Sequence, residues 1–202
     1  MPQNIIPYRQ LPLFHDINRI VSLDARLWHG SFDSKESSLH QLSPYVGKLK
    51  SGMVNVLIEL YSEPGDTILD PFSGSGVVPF QAVLTQRCAL ANDLSPYAYV
   101  LTRGKLEAPQ SEAEALNKTA ELVEAVEKQA PSVDVTDVPD WVQEFFHPKT
   151  LNEALVAFQI LREQKDYFLT SCLLGILHHV RPGFLSYPAS HLVPYLRKAK
   201  YR

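Results

Sequence analysis

Two glycines one residue apart, Gly74 and Gly76, follow an acid in the run Asp70-Pro-Phe-Ser-Gly-Ser-Gly76, and a second acid, Asp93, lies further along the chain. These types at this spacing suit a cofactor bound at the carboxyl end of a strand, because glycine removes the Cβ atoms that block close backbone approach. A helix following the loop aims its amide donors toward the ligand. At the end of a second strand, Asp93 offers a carboxylate that can accept from both hydroxyls of a ribose.

The surrounding residues narrow the ligand. In Gly74-Ser-Gly76-Val-Val-Pro79, proline stands where a nicotinamide or flavin dinucleotide loop has its third small residue. No Gly-Lys-Ser/Thr follows the loop, so a phosphate-binding P-loop fails as well. The loss of both phosphate readings favours a cofactor with a cationic amino-acid end, such as S-adenosylmethionine (AdoMet). Its ammonium and sulfonium are electrostatically compatible with Asp70, and Lys48 can pair with its carboxylate.

Several elements must position these residues. Met53, Val54, Leu57, Ile58 and Tyr61 recur at helical spacing between Lys48 and Tyr61, and Glu63-Pro-Gly-Asp66 ends that helix. Thr67-Ile-Leu69 reads as a strand, Val77 to Gln86 as a helix, and Cys88-Ala-Leu-Ala91 as a second strand. Pro96 suits the first turn of the next helix. This alternation predicts an α/β domain with a parallel sheet flanked by helices. Cys88 and Cys172 sit in apolar runs and read as buried thiols.

Farther along, Ser111 to Gln129 forms an acidic amphipathic helix with a solvated face, and Pro131 to Pro139 a loop. Pro148 to about Gln164 and Tyr167 to about Val180 are two more helices, the second apolar enough to be largely buried. Trp141, Phe145 and Phe146 flank a turn, where aromatics usually seed packing. His178 and His179 end an apolar helix, with no carboxylate or cysteine nearby to suggest a metal site.

The chain thus divides into an irregular arm (1–39), a cofactor-binding core (40–110), a helical segment (111–180) and a basic, aromatic tail (181–202). No acidic residue follows Asp166, while Arg181, Arg197 and Lys198 accumulate near Tyr187 and Tyr195. The tail either holds nucleic-acid phosphates beside a stacked base or is a solvated linker. A net charge of −3 confines any nucleic-acid contact to a local patch. Neither a secretion signal nor a long apolar run is present, so the expected location is cytoplasmic.

Four stretches taken together carry a resemblance. His40-Gln-Leu-Ser-Pro-Tyr-Val-Gly-Lys48, Pro64-Gly-Asp66, Asp70-Pro-Phe-Ser-Gly-Ser-Gly76 and Asn92-Asp-Leu-Ser-Pro-Tyr97 resemble the ordered cofactor motifs of N4-cytosine/N6-adenine DNA methyltransferases, over about residues 40 to 105. The resemblance implies a partial Rossmann-like, AdoMet-dependent methyltransferase fold with a mostly helical C-terminal extension. It assigns Asp70, Pro71, Phe72, Ser73, Gly74, Ser75 and Gly76 to the AdoMet loop, and Asp93 with Leu94 to the ribose motif. The stretch from Tyr45 to Lys48 becomes the segment that closes over the methionine moiety. His40 either orders that segment or belongs to a turn. Phe146-His-Pro-Lys-Thr-Leu151 resembles a helical insertion of some members, which favours DNA. Asp-Pro-Phe-x-Gly-x-Gly loops also occur in RNA guanosine methyltransferases, so the loop identifies the cofactor better than the nucleic acid.

Amino methylation in this family uses an Asp/Asn/Ser-Pro-Pro-Tyr/Phe motif that holds the target amine and stacks on a flipped base. No Pro-Pro pair occurs in the 202 residues. Leu94-Ser-Pro-Tyr97 and Leu192-Val-Pro-Tyr195 each lack one proline, and the first already occupies the ribose motif. The expectation is therefore the cofactor half of a truncated or split DNA methyltransferase, with its catalytic motif beyond Arg202 or on a second chain. The alternatives are a tRNA or rRNA methyltransferase and a non-catalytic AdoMet-binding subunit that needs a partner.

Overall fold

The structure is a computed structural model describing residues 37–144, 146–179, 185–186 and 195–196. A helix α1 (Ser51–Tyr61) leads into strand β1 (Thr67–Asp70), helix α2 (Val77–Leu84), strand β2 (Cys88–Ala91) and helix α3 (Pro96–Leu106). Helices α4 (Glu112–Gln129), α5 (Asp140–Gln143), α6 (Pro148–Gln164) and α7 (Tyr167–His179) follow, then the short strands β3 (Leu185–Ser186) and β4 (Tyr195–Leu196). The α1 helix starts at Ser51 rather than Lys48, and α2 stops at Leu84 because Gln86 turns the chain with φ 65°. The βαβ order is as the apolar pattern requires.

Local chemistry explains the element starts. Ser95 caps α3 by accepting from the Ala98 amide, with Pro96 in the first turn. Ser111 caps α4 by accepting from the Glu114 amide, and Glu112 and Glu114 complement the positive helix end. The α6 helix ends at Lys165, whose φ of 56° turns the chain into α7.

Strands β1 and β2 pair in parallel, in register from Thr67↔Cys88 to Asp70↔Ala91. Ile68 and Ala89 turn one face of this pair toward Val54 and Ile58 of α1 and Val77 and Ala82 of α2, which form a compact apolar cluster. On the other face Leu69 and Leu90 lie opposite each other and are 66% and 58% exposed. Alternation puts Cys88 on that second face, so this thiol is exposed rather than buried. Cys172 is half-buried; burial, and secondarily Asp166, push its thiol up.

A second cluster joins the later helices, with Val126 and Ala130 packed against Val156 and Ala157 of α6, and Leu122, Ile160 and Leu173 around them. The α7 helix ties this cluster to the first unit along a side of small residues. A Cβ added to Gly104 would stand 2.3 Å from Ser171 Oγ, and one added to Gly175 would stand 2.2 Å from the Leu42 carbonyl oxygen. These close approaches seat α7 between α3 and the Leu42–Ser43 backbone. The helix is buried along that side, while Ile176 is exposed, which narrows the expectation of a largely buried helix.

Trp141 on α5 is exposed rather than packed, because α5 is a single turn with no buried residue. Phe145 lies outside the described residues, as do residues 1–36 and the candidate nucleic-acid contacts Arg181, Tyr187, Arg197 and Lys198. Strands β3 and β4 pair antiparallel, Leu185 with Leu196 and Ser186 with Tyr195. Among the described residues no helix is long and apolar enough to cross a membrane.

Candidate functional site

The carboxyl ends of β1 and β2 lie side by side because the strands are parallel and in register, with Asp70 opposite Ala91. Beyond those ends the backbones stay linked: the Asn92 amide donates to the Asp70 carbonyl and the Ser73 amide to the Asn92 carbonyl, both at 2.9 Å. The Asn92 side chain donates to the Pro71 carbonyl. Asp70 itself accepts from the Phe72 amide at 3.1 Å, which bends the chain into the glycine loop.

The loop closes on itself through the Gly76 amide, which donates to the Ser73 carbonyl at 2.7 Å. Gly74 and Gly76 adopt φ values of 50° and 76°, left-handed conformations that a side chain would strain. Space is short as well. A Cβ on Gly76 would fall 2.8 Å from the Thr102 Cα, and one on Gly74 would fall 3.1 Å from the Tyr45 ring.

Asp93 joins the two strand ends. One carboxylate oxygen accepts from the Gly74 amide at 2.8 Å, the other from the Ser95 amide at 2.9 Å. These donors, Ser95 first, then Gly74 and finally Leu94, hold its carboxyl below the usual carboxylate range against a smaller opposing effect of burial. The folded-state pKa is depressed. The Asp93 link is therefore fully formed above about pH 4, the unfolded value, and is lost as pH falls through the lower folded value. A carbon-detected NMR titration of the Asp93 carboxyl is expected to give a midpoint below that of a model peptide; a midpoint at or above it contradicts this network.

The Tyr45–Lys48 stretch folds over the loop from the other side. Tyr45 stacks on Tyr97 at 6.0 Å between ring centroids, nearly parallel, and its ring lies against Gly74. The Tyr97 hydroxyl donates to the Pro44 carbonyl and meets Ser43 Oγ, each at 2.6 Å. Burial pushes the Tyr97 phenol up. The Lys48 ammonium donates to the His40 carbonyl at 2.8 Å, so in this arrangement it braces its own segment. Of the two readings of His40, the structure shows the turn. It sits in a turn at Ser38–Gln41, and its ring, 1% exposed, meets the Gln81 amide nitrogen at 3.0 Å and packs edge-on against Phe80.

Phe72 and Leu94 flank the strand ends as open apolar walls, 86% and 97% exposed. Ser75 is buried, and its hydroxyl has no hydrogen-bond partner. Among the described residues no group of His, Cys, Asp or Glu could hold a metal ion.

A family description, DNA methylase, matches residues 26–103, which contain this loop, Asp93 and the Tyr45–Lys48 segment. Over this segment the chain is similar to the DNA methylase family. The type II methyltransferase M.MjaII of Methanocaldococcus jannaschii is 28% identical over 85 residues, 40% of this chain and 16% of the relative. The chain thus spans about a sixth of that relative's length. No solved structure matches the chain.

Within residues 26–103 the structure brings Asp70, Ser73, Gly74, Gly76, Asp93 and Tyr45 together and leaves Phe72 and Leu94 facing outward. Tyr97, which ends the Asn92–Tyr97 motif, also holds the site, as do Gln81, Thr102 and Lys105, which the motifs do not single out. One signal was available. Ala98, Leu101, Thr102 and Lys105 recur at helical spacing and are all buried, so a threonine and a lysine stand in a stripe that packing alone would make apolar.

Proposed function

We propose that this chain supplies the AdoMet-binding part of a DNA methyltransferase that acts on an exocyclic amine, adenine N6 or cytosine N4. It would do so within a partial Rossmann-like fold completed by a segment that carries the Asp/Asn/Ser-Pro-Pro-Tyr/Phe motif. The observation that carries the reading is the Asp93 carboxylate bridging the Gly74 amide and the Ser95 amide. It holds an acid at the ligand side of the glycine loop with acceptor capacity to spare, since an ionised carboxylate offers about four lone-pair sites.

The residues fit the cofactor. Asp93 accepts the ribose hydroxyls, and the exposed side chains of Phe72 and Leu94 flank the adenine. Asp70 faces the cationic end, and the Tyr45–Lys48 segment covers the methionine moiety. When bound, AdoMet supplies an activated methyl group, and this chain's part is to align it with the target nitrogen. The family of the methylase segment and its M.MjaII relative support DNA as the substrate. Arg181, Arg197, Lys198 and Tyr187 of the tail are proposed to contact phosphates and a base.

The test uses methyl-tritiated AdoMet with this chain alone and with a polypeptide bearing the Pro-Pro motif, offered DNA or RNA. The expected result is AdoMet retention by the chain alone and label on DNA only when the second polypeptide is present. Label on RNA instead favours a tRNA or rRNA methyltransferase. Retention with no transfer to either favours a non-catalytic cofactor subunit, and no retention overturns the reading.

A further inference from the structure

We propose that Lys105 is a positioning residue for the cofactor loop, acting through the Ser75 carbonyl; its effect on affinity rests on the AdoMet reading above. Lys105 lies in the buried stripe of α3 and is 2% exposed. Its ammonium donates to the Ser75 carbonyl oxygen at the back of the glycine loop. An ammonium withdrawn from water is costly unless it is hydrogen-bonded, so a lysine here is a poor way merely to fill space.

Peptide planarity shows what this contact does. In a trans peptide the carbonyl and the following amide point in opposite directions. Holding the Ser75 carbonyl toward α3 therefore turns the Gly76 amide the other way, onto the Ser73 carbonyl, where it closes the loop at 2.7 Å. One helical turn earlier, Thr102 meets the neighbouring peptide: its hydroxyl is 3.5 Å from the Gly74 carbonyl oxygen. Held that way, the Gly74–Ser75 peptide turns the Ser75 amide away from α3. Thr102 also packs directly on Gly76. Two residues on one face of α3 thus set the orientation of two successive peptides, and α7 backs that helix through Ser171, which donates to the Val100 carbonyl at 3.1 Å.

Lys105→Met keeps the unbranched stem and removes the donor. The whole chain is compared with the variant by hydrogen exchange followed by NMR without ligand, and by titration with S-adenosylhomocysteine. Exchange of the Gly76 amide is expected to rise about tenfold, the dissociation constant to rise by a similar factor, and the α3 and α7 amides to exchange as in the wild type. Unchanged Gly76 exchange, or a rise shared equally by α3 and α7, overturns the proposal. Should Lys105→Met fail to fold, Lys105→Gln, uncharged and shorter, is read on the same scale: a rise selective for Gly76 supports the role, and none or a general rise overturns it. If the wild type binds no S-adenosylhomocysteine, the cofactor reading fails, and Gly76 exchange alone decides the role of Lys105.

Discussion

Gly76→Ala destabilises the chain by about 2–4 kcal/mol, because two costs fall on one position. At φ 76° an alanine pays left-handed strain, and its Cβ would stand 2.6 Å from the Thr102 hydroxyl oxygen and 2.8 Å from the Thr102 Cα. The hydroxyl can rotate away, whereas the backbone atom moves only if α3 separates from the loop. Denaturant unfolding of the two proteins measures the difference, and for a chain of this size the melting temperature falls by about 2–4 °C per kcal/mol. An alanine variant within about 0.5 kcal/mol of the wild type contradicts the packing of α3 on the loop.

Asp93→Ala weakens S-adenosylhomocysteine at least about tenfold, the loss expected when hydrogen bonds to a charged group disappear. It removes the proposed ribose acceptor and, at the same time, the tether between the Gly74 amide and the end of β2. Asp93→Asn separates these roles, since its amide retains one carbonyl acceptor for the Gly74 or the Ser95 amide but lacks the charge. The expected order of affinity is wild type, then Asn, then Ala, read by titration calorimetry on proteins with matching circular dichroism. Equal affinity in all three contradicts the assignment of Asp93.

The β1–loop–α2–β2–α3 unit was legible because its determinants are local. Ser95 and Pro96 announce α3, the paired glycines mark the loop, and both strands are short apolar runs bounded by turn residues. What depends on partners distant in the chain was hidden. The surroundings of His40 stayed hidden because Phe80 and Gln81, against which its ring packs, lie some forty residues away. Cys88 read as buried because an apolar run of four residues does not reveal which of its two faces is covered. Nothing local marks Lys105, because the Ser75 carbonyl that it meets lies thirty residues earlier. Lys48 was read as a partner for the cofactor carboxylate, and the structure adds a use within its own segment, on the His40 carbonyl.

The glycine loop, Asp93 and the Tyr45–Lys48 segment are proposed to form an AdoMet pocket. Isothermal titration of the whole wild-type chain with S-adenosylhomocysteine tests it directly. Saturable binding with one site per chain is the predicted result. Failure to saturate up to about 1 mM, where the binding free energy is only about 4 kcal/mol, would contradict it.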